Sequence, residues 1–235
     1  MKQRVTNNSP RGHAPAPAPT RAHIHVLVAC EESQAECRAF RALGFDAYSC
    51  DIQPCHGSHP EWHIHGDVTP LLHGVTQFTT QDSQVHHVDR WHLIVAHPPC
   101  TYICRASAVQ LVHHGVVDPN RLAKMHEAVA FFYECLGATC DYLAVENPIP
   151  MKRAGLPRPD CYIEPSWFGV KYTKKTLYWL RNLPPIMADA EHPTPRCFVK
   201  ASRGKYRSRT FPQVANALAY QWGLYVEDDL ARQTR

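Results

Sequence analysis

The sequence predicts a doubly wound α/β domain built on a mostly parallel sheet. Three observations lead there: continuous apolar runs at 23–29, 91–96 and 142–145, helical spacing in stretches between them, and acids, prolines or a cysteine directly after each run. Unbroken, β-branched runs suit strands covered on both faces, and such sheets bind ligands beyond the carboxyl ends of their strands. At 235 residues the chain fits one domain with a core of its own. Residues 23–225 are assigned to that domain, 1–22 to a disordered extension of Asn-Asn-Ser-Pro and Pro-Ala character, and 226–235 to a C-terminal tail.

The first strand, 23–29, runs into the polar stretch 30–34. From Ser33 the spacing turns helical, with Cys37, Phe40 and Leu43 on one face and Gly44 as the stop. Residues 45–50 form a second strand with Asp51 directly after it, and a His-rich connection leads to 62–68, whose Asp67 closes a short third strand. The stretch 69–90 has weak periodicity and is expected to wander. Residues 91–96 are the clearest interior strand, halted at His97-Pro98-Pro99-Cys100 because proline cannot continue the ladder. Leu122, Met125, Val129, Phe132 and Leu136 make an apolar helical stripe over 121–137, read as core. Residues 142–145 form a strand that delivers Glu146-Asn147-Pro148 at its end. Strand-like pieces follow near 162–168 and 176–180, and a helix over 213–222 starts at Pro212 and stops at Gly223.

Composition narrows the function classes. No apolar run nears the ~20 residues that cross a bilayer, so no membrane association is expected. Ten cysteines, several on predicted strands and helices, fit a reducing cytoplasmic setting better than a disulfide framework. A net charge of +4 excludes a protein that coats nucleic acid by charge alone. Between 171 and 209, however, Lys171, Lys174, Lys175, Arg181, Arg196, Lys200, Arg203, Lys205, Arg207 and Arg209 face only Asp189 and Glu191, a local field suited to phosphates. A solvated loop surface would show the same charges.

In a doubly wound sheet the strand tips bring Cys30, Glu31, Asp51, Asp67, Pro98 to Cys100, Glu146 and Asn147 to one edge. An acid beyond the second strand is where such folds hold ribose hydroxyls, and Asp67 is suited to an adenine amine. Each acid taken alone also reads as a cap or turn residue. No Gly-x-Gly-x-x-Gly follows the first strand, which argues against a dinucleotide and fits a cofactor without phosphates, such as S-adenosylmethionine. Cys50, Cys55, His56, His59, His63 and His65, with Cys104, match no standard zinc spacing and are read as a polar loop, with no metal expected.

Cys100 on a Pro-Pro corner has a defined direction, and a thiolate attacks electrophilic carbon. Glu146 at the next strand tip, partly desolvated, is expected to keep its proton and act as a general acid. The pair suits one reaction: addition of sulfur to carbon 6 of cytosine, helped by an acid at ring nitrogen 3, makes carbon 5 a nucleophile for a sulfonium methyl. A base in duplex must be flipped out to be reached.

Pro-Pro-Cys at 98–100 and Glu-Asn-Pro at 146–148 resemble the Pro-Cys and Glu-Asn-Val signatures of the DNA cytosine-5 methyltransferase family. The segments Val-Ala-Cys-Glu, Ser-Cys-Asp, Ala-His-Pro-Pro-Cys-Thr-Tyr and Arg-Ser-Arg-Thr-Phe-Pro are similar to a compact, mostly phage-encoded branch of it, over roughly residues 25–223. The resemblance implies a Rossmann-like S-adenosylmethionine-dependent methyltransferase in a bacterial or phage-infected cell, acting on double-stranded DNA with a flipped cytosine. It implies Cys100, Glu146 and Asn147 as catalytic residues, and Cys30, Glu31, Asp51, Ile52, Asp67, Val68, Pro98 and Asn216 as the cofactor pocket. Lys174, Lys175, Arg203, Lys205, Arg207 and Arg209, in a short target-binding segment near 160–210, would contact DNA.

The chain departs from the family in places. Ala29-Cys30-Glu31-Glu32-Ser33 replaces a Gly-rich first motif, Thr101 replaces the usual Gln, and no Gln-x-Arg-x-Arg occurs. Either Lys174-Lys175 or Arg207 with Arg209 stands in for the last of these. Alternatives are the same chemistry on RNA or a free nucleotide, a binding protein without turnover, or amino methylation, whose sites usually carry an aromatic residue where Cys100 stands.

Overall fold

The computed structural model describes residues 21–172, 174–188 and 209–234. Of the extension expected over 1–22, residues 1–20 lie outside the described residues, as do the basic residues Arg203, Lys205 and Arg207. Arg21 and Ala22 are not part of a disordered extension but open a short 3-10 helix, Arg21–His23, tied down by the Arg21–Glu227 ion pair at 2.8 Å.

Seven strands form the central sheet: β1 (His25–Ala29), β2 (Asp46–Asp51), β3 (His63–His65), β4 (Leu93–Ala96), β5 (Tyr142–Pro148), β6 (Cys161–Ile163) and β7 (Thr176–Arg181). Their order is β6-β7-β5-β4-β1-β2-β3. β1 pairs in parallel with both β2 and β4, and β4 with β5, whereas β7 runs antiparallel between β5 and β6. The doubly wound, mostly parallel α/β architecture is therefore present.

Period-two alternation sends the two sides of each strand into two separate cores. Val26, Val28, Leu93, Val95, Tyr142 and Ala144 pack with Phe40 of α1 (Ala35–Ala42) and Trp222 of α3 (Pro212–Gln233). Leu27, Ala29, Ile94, Ala96, Leu143 and Val145 pack on the other face with Phe132 of α2 (Pro119–Leu136). Fully burying one such side chain stabilises by about 1.5–3 kcal/mol. α2 begins at a true cap, where the Asp118 carboxylate accepts from the backbone N–H groups of Asn120 and Arg121 at 2.9 and 3.1 Å.

Three further expectations are corrected. α3 does not stop at Gly223 and there is no separate tail from 226, because the helix continues to Gln233. Gly223 is there for packing: a Cβ at that position would lie 2.6 Å from Cε2 of Phe45. The stretch 69–90 does not wander but holds a short helix, Thr69–Leu72, and an antiparallel hairpin of Gln77–Thr79 with Val85–His87. Its Phe78 packs on Tyr48 and Trp91, contacts invisible to a periodicity count. Finally, Glu146 and Asn147 do not follow their strand but lie inside it, since β7 pairs alongside and extends β5 to Pro148.

At the carboxyl edge the turns are tied to neighbouring strands. His97 N–H donates to Ala29 O at 2.9 Å, Glu31 N–H to Cys50 O at 3.1 Å and Gly66 N–H to Asp51 O at 2.9 Å. These bonds place the residues after β1, β2, β3 and β4 on one connected rim.

Candidate active site

The crevice between β1 and β4 is the topological switch point, where connections leave the sheet in opposite directions. Cys30 ends β1 with φ of 61°, a left-handed conformation that a non-glycine residue adopts under strain. The turn it makes sends Glu31 into the interior. Glu31 accepts from the backbone N–H groups of Glu36 and Cys37 at 2.7 and 3.2 Å, so its carboxyl caps the start of α1. Burial, and then the charge of Glu36, push its pKa well above the carboxylate range.

The next two tips are simpler. Asp51 Oδ1 accepts from Gln53 N–H at 2.8 Å, and burial raises its pKa. Asp67 is exposed, and its Oδ1 accepts from Thr69 N–H at 3.0 Å, which starts the short helix. Both acids make the local turn bonds read from sequence, and each keeps a second carboxylate oxygen beyond that bond. Ile52 between these tips is 70% exposed, while Val68 is buried. Pro98 is buried at the switch point. Asn216 is exposed on α3.

On the other side of the switch point the rim is charged and nearly closed. The Glu146 side chain, 15% exposed, lies 3.4 Å through Oε2 from Nδ1 of His97, and His97 Nε2 lies 3.1 Å from Oε2 of Glu36, which is fully buried. Glu36 Oε1 accepts from Thr210 Oγ1 at 3.0 Å. Glu146 also lines a narrow cleft with Lys174, Thr176, Tyr178, Arg209 and Phe211.

The protonation states differ from those expected. Burial would raise Glu146, but the hydrogen bond and charge of His97, aided by Lys174, hold its pKa below the usual value. Burial would lower His97, yet the Glu36 charge and the bonds to both carboxylates hold it well above an ordinary imidazole. Glu146 is thus ionised at rest and the nearby proton sits on His97, a correction to the expected neutral acid. Cys100, half-buried after β4, has a thiol pushed up to about 12 by burial and then by the charges of Glu146 and Cys104, with Lys174 opposing. Its resting form is the thiol.

Cys100 and Glu146 therefore share one electrostatic neighbourhood, with Lys174 acting on both. Asn147 is not brought to the same side. Alternation in β5 turns it to the opposite face from Glu146, where it is fully buried and neither amide atom has a hydrogen-bond partner among the described residues.

Of the basic residues, Lys174 lines the cleft, Lys175 places Nζ 3.8 Å from the ring centroid of Tyr162, and Arg209 pairs with Glu32 at 3.4 Å. Tyr172 stacks on Phe211 beside them at 5.8 Å. In the His-rich loop His63 bonds Ser49 Oγ at 2.9 Å and Gln53 O at 2.9 Å. Among the described residues no three His, Cys, Asp or Glu side chains converge in a group that could hold a metal.

Sequence reasoning missed His97, Glu36 and Thr210. His97 stood inside the quoted Ala-His-Pro-Pro-Cys segment, one residue before a strand-ending proline; Glu36 carried no signal, because an acid in a first helical turn is ordinary there.

No family model and no curated protein matches the chain. Among solved structures it is similar to a protein described as a DNA modification methyltransferase encoded within an E. coli prophage, at 13% identity and a TM-score of 0.39. That likeness covers 67% of this chain and 46% of the other, so the chain spans under half the length of that relative. Among the described residues no helix is long and apolar enough to cross a membrane.

Proposed function

We propose that this chain transfers a methyl group from S-adenosylmethionine to carbon 5 of cytosine in DNA, through a covalent adduct on Cys100. The observation that carries the reading is that Cys100 follows β4 while Glu146 lies in the adjacent strand β5 against His97, with the Lys174 charge acting on both side chains.

The residues fit the cofactor. Asp51 and Asp67 keep carboxylate oxygens for ribose hydroxyls and an adenine amine, and exposed Ile52 between them offers apolar surface to a ring. When bound, S-adenosylmethionine supplies an electrophilic methyl. Cys100 and Glu146 do the rest. Their resting forms differ from the working forms by one proton: moved from sulfur to the carboxylate, it leaves a thiolate for carbon 6 and a carboxylic acid for nitrogen 3. The S–C6 bond then forms as the proton passes from Glu146 to nitrogen 3, and carbon 5 becomes nucleophilic. After methylation the carbon-5 proton passes to solvent water, the S–C6 bond breaks with its electron pair leaving on sulfur, and the nitrogen-3 proton returns to Glu146, which restores the ring. Lys174, Lys175 and Arg209 would meet phosphates beside the cleft, with Arg203, Lys205 and Arg207 proposed to extend that contact.

DNA carrying 5-fluorocytosine tests the reading, because the fluorine blocks the last step and leaves the adduct in place. The wild type, with cofactor, should form a covalent complex stable to denaturation, and Cys100→Ser should not. A Cys100→Ser protein that still traps would end the assignment.

A second reading, a protein that binds DNA without turnover, is favoured by the replacement of a Gly-rich first motif by Ala29-Cys30-Glu31-Glu32-Ser33 while Lys174 and Arg209 still line the cleft. It predicts salt-dependent DNA binding with no adduct. RNA or free nucleotide as substrate is separated by the same salt series, since a nucleotide releases few counterions.

A further inference from the structure

An imidazole held between two carboxylates is an unusual thing to bury at a strand tip. His97 reaches Glu146 Oε2 with one ring nitrogen and Glu36 Oε2 with the other, at 3.4 and 3.1 Å. Its own backbone is fixed by the bond from its N–H to Ala29 O. Glu36 cannot swing away, because it is fully buried and its second oxygen accepts from Thr210. Every freedom of the imidazole is thereby used, and among the described residues no hydrogen bond engages the remaining oxygen of Glu146, Oε1, on a side chain that lines the cleft.

We propose that His97, anchored by Glu36, is a positioning residue that fixes the Glu146 carboxyl for its work on the base; the inference rests on the transfer reading above. A free glutamate side chain samples several rotamers, and holding one removes that entropy before the reaction rather than during it. The imidazolium also separates two buried carboxylates that would otherwise repel. The groups facing this clamp are Glu31 in the turn after β1, Glu36 in the first turn of α1, Glu146 on β5, Tyr178 on β7, Lys174 before it, and Thr210 with Arg209 ahead of α3. Lys174 is the only cation among them whose charge acts on Glu146 from the open side of the cleft.

Two measurements on the full chain test it. In the first, adduct formation on 5-fluorocytosine DNA is timed in single turnovers. His97→Ala should slow it by about 100-fold, as a misplacement near 1 Å does, with DNA affinity unchanged. His97→Asn, whose amide nitrogen can still donate to Glu146, should recover part of the rate. In the second, carbon-13 NMR of labelled glutamate follows the titration of Glu146. It should move upward in His97→Ala and in Glu36→Gln, a shift that packing damage alone would not produce.

If His97→Ala fails to fold, Glu36→Gln carries the titration test, since it keeps a hydrogen-bonding group in place. Wild-type adduct rates together with an unmoved Glu146 titration would overturn the proposal. A wild type that never traps, yet shows the coupled titration, would overturn the transfer reading and leave the clamp standing.

Discussion

The two halves of the carboxyl edge are built on opposite plans. Around β2 and β3 the acids are turn residues, Asp51 half-buried and Asp67 exposed: each accepts one backbone N–H two positions on, and exposed Ile52 lies between them. Around β4 and β5 the acids are buried, and their charge is balanced by His97. The difference teaches what each half has to do. A group that only receives ligand hydrogen bonds needs no charged partner, and a local turn bond is enough to hold it. A group that must hold or release a proton at one atom needs a fixed direction, which burial and the contact with His97 provide.

The largest effect should come from the buried half. Glu146→Gln keeps the shape but not the acid, and should lower methyl transfer by about 10²–10⁴-fold with cofactor affinity unchanged. Labelled-cofactor assays and calorimetry would check this, and an equal loss of cofactor binding would break the division between halves. The open half should behave in the converse way. Asp51→Ala should weaken S-adenosylmethionine binding by roughly 10–150-fold, the worth of a charged hydrogen bond, and leave the melting temperature within a few degrees.

A smaller effect belongs to the cleft mouth. Lys174→Ala should reduce the slope of log affinity for DNA against log salt by about 1, measured by fluorescence anisotropy across a salt series. It should also let the Glu146 titration rise, since Lys174 helps hold it down.

The smallest sharpens the electrostatics. Glu31 and His97 both have folded pKa values raised above their ordinary ones, Glu31 to about 8. A raised group contributes stability fully present below its unfolded pKa and lost as pH climbs through the folded value. For Glu31 that window opens near 4.5 and runs to about 8, and for His97 it opens near 6.5 and continues upward. Thermal melts should therefore fall from pH 6 to pH 9, and less so in Glu31→Gln. A melting temperature that rises over that range would contradict the buried cluster.

Much of this edge was legible from local chemistry. Unbroken apolar runs marked β1 and β4, proline marked the end of β4, and Asp51 and Asp67 took the turn bonds expected of aspartate. What escaped has one cause in several places. Gly223 read as a helix stop, but its lack of a side chain serves Phe45, which stands 178 positions away along the chain. The hairpin at 77–87 is held by aromatic packing on Tyr48 and Trp91 rather than by alternation. Glu146 read as a strand tip until β7, arriving antiparallel, continued the ladder past it.

By itself the sequence determined the parallel strands β1, β2, β4 and β5, the edge at which acids and cysteine gather, and the chemical types gathered there, because these follow from local periodicity and from where proline ends a strand. Only the tertiary structure decided the charge states. A pKa depends on which groups lie within a few ångströms, and Glu36, His97 and Glu146 come together from an α-helix, the end of one strand and the interior of another, which no local pattern connects.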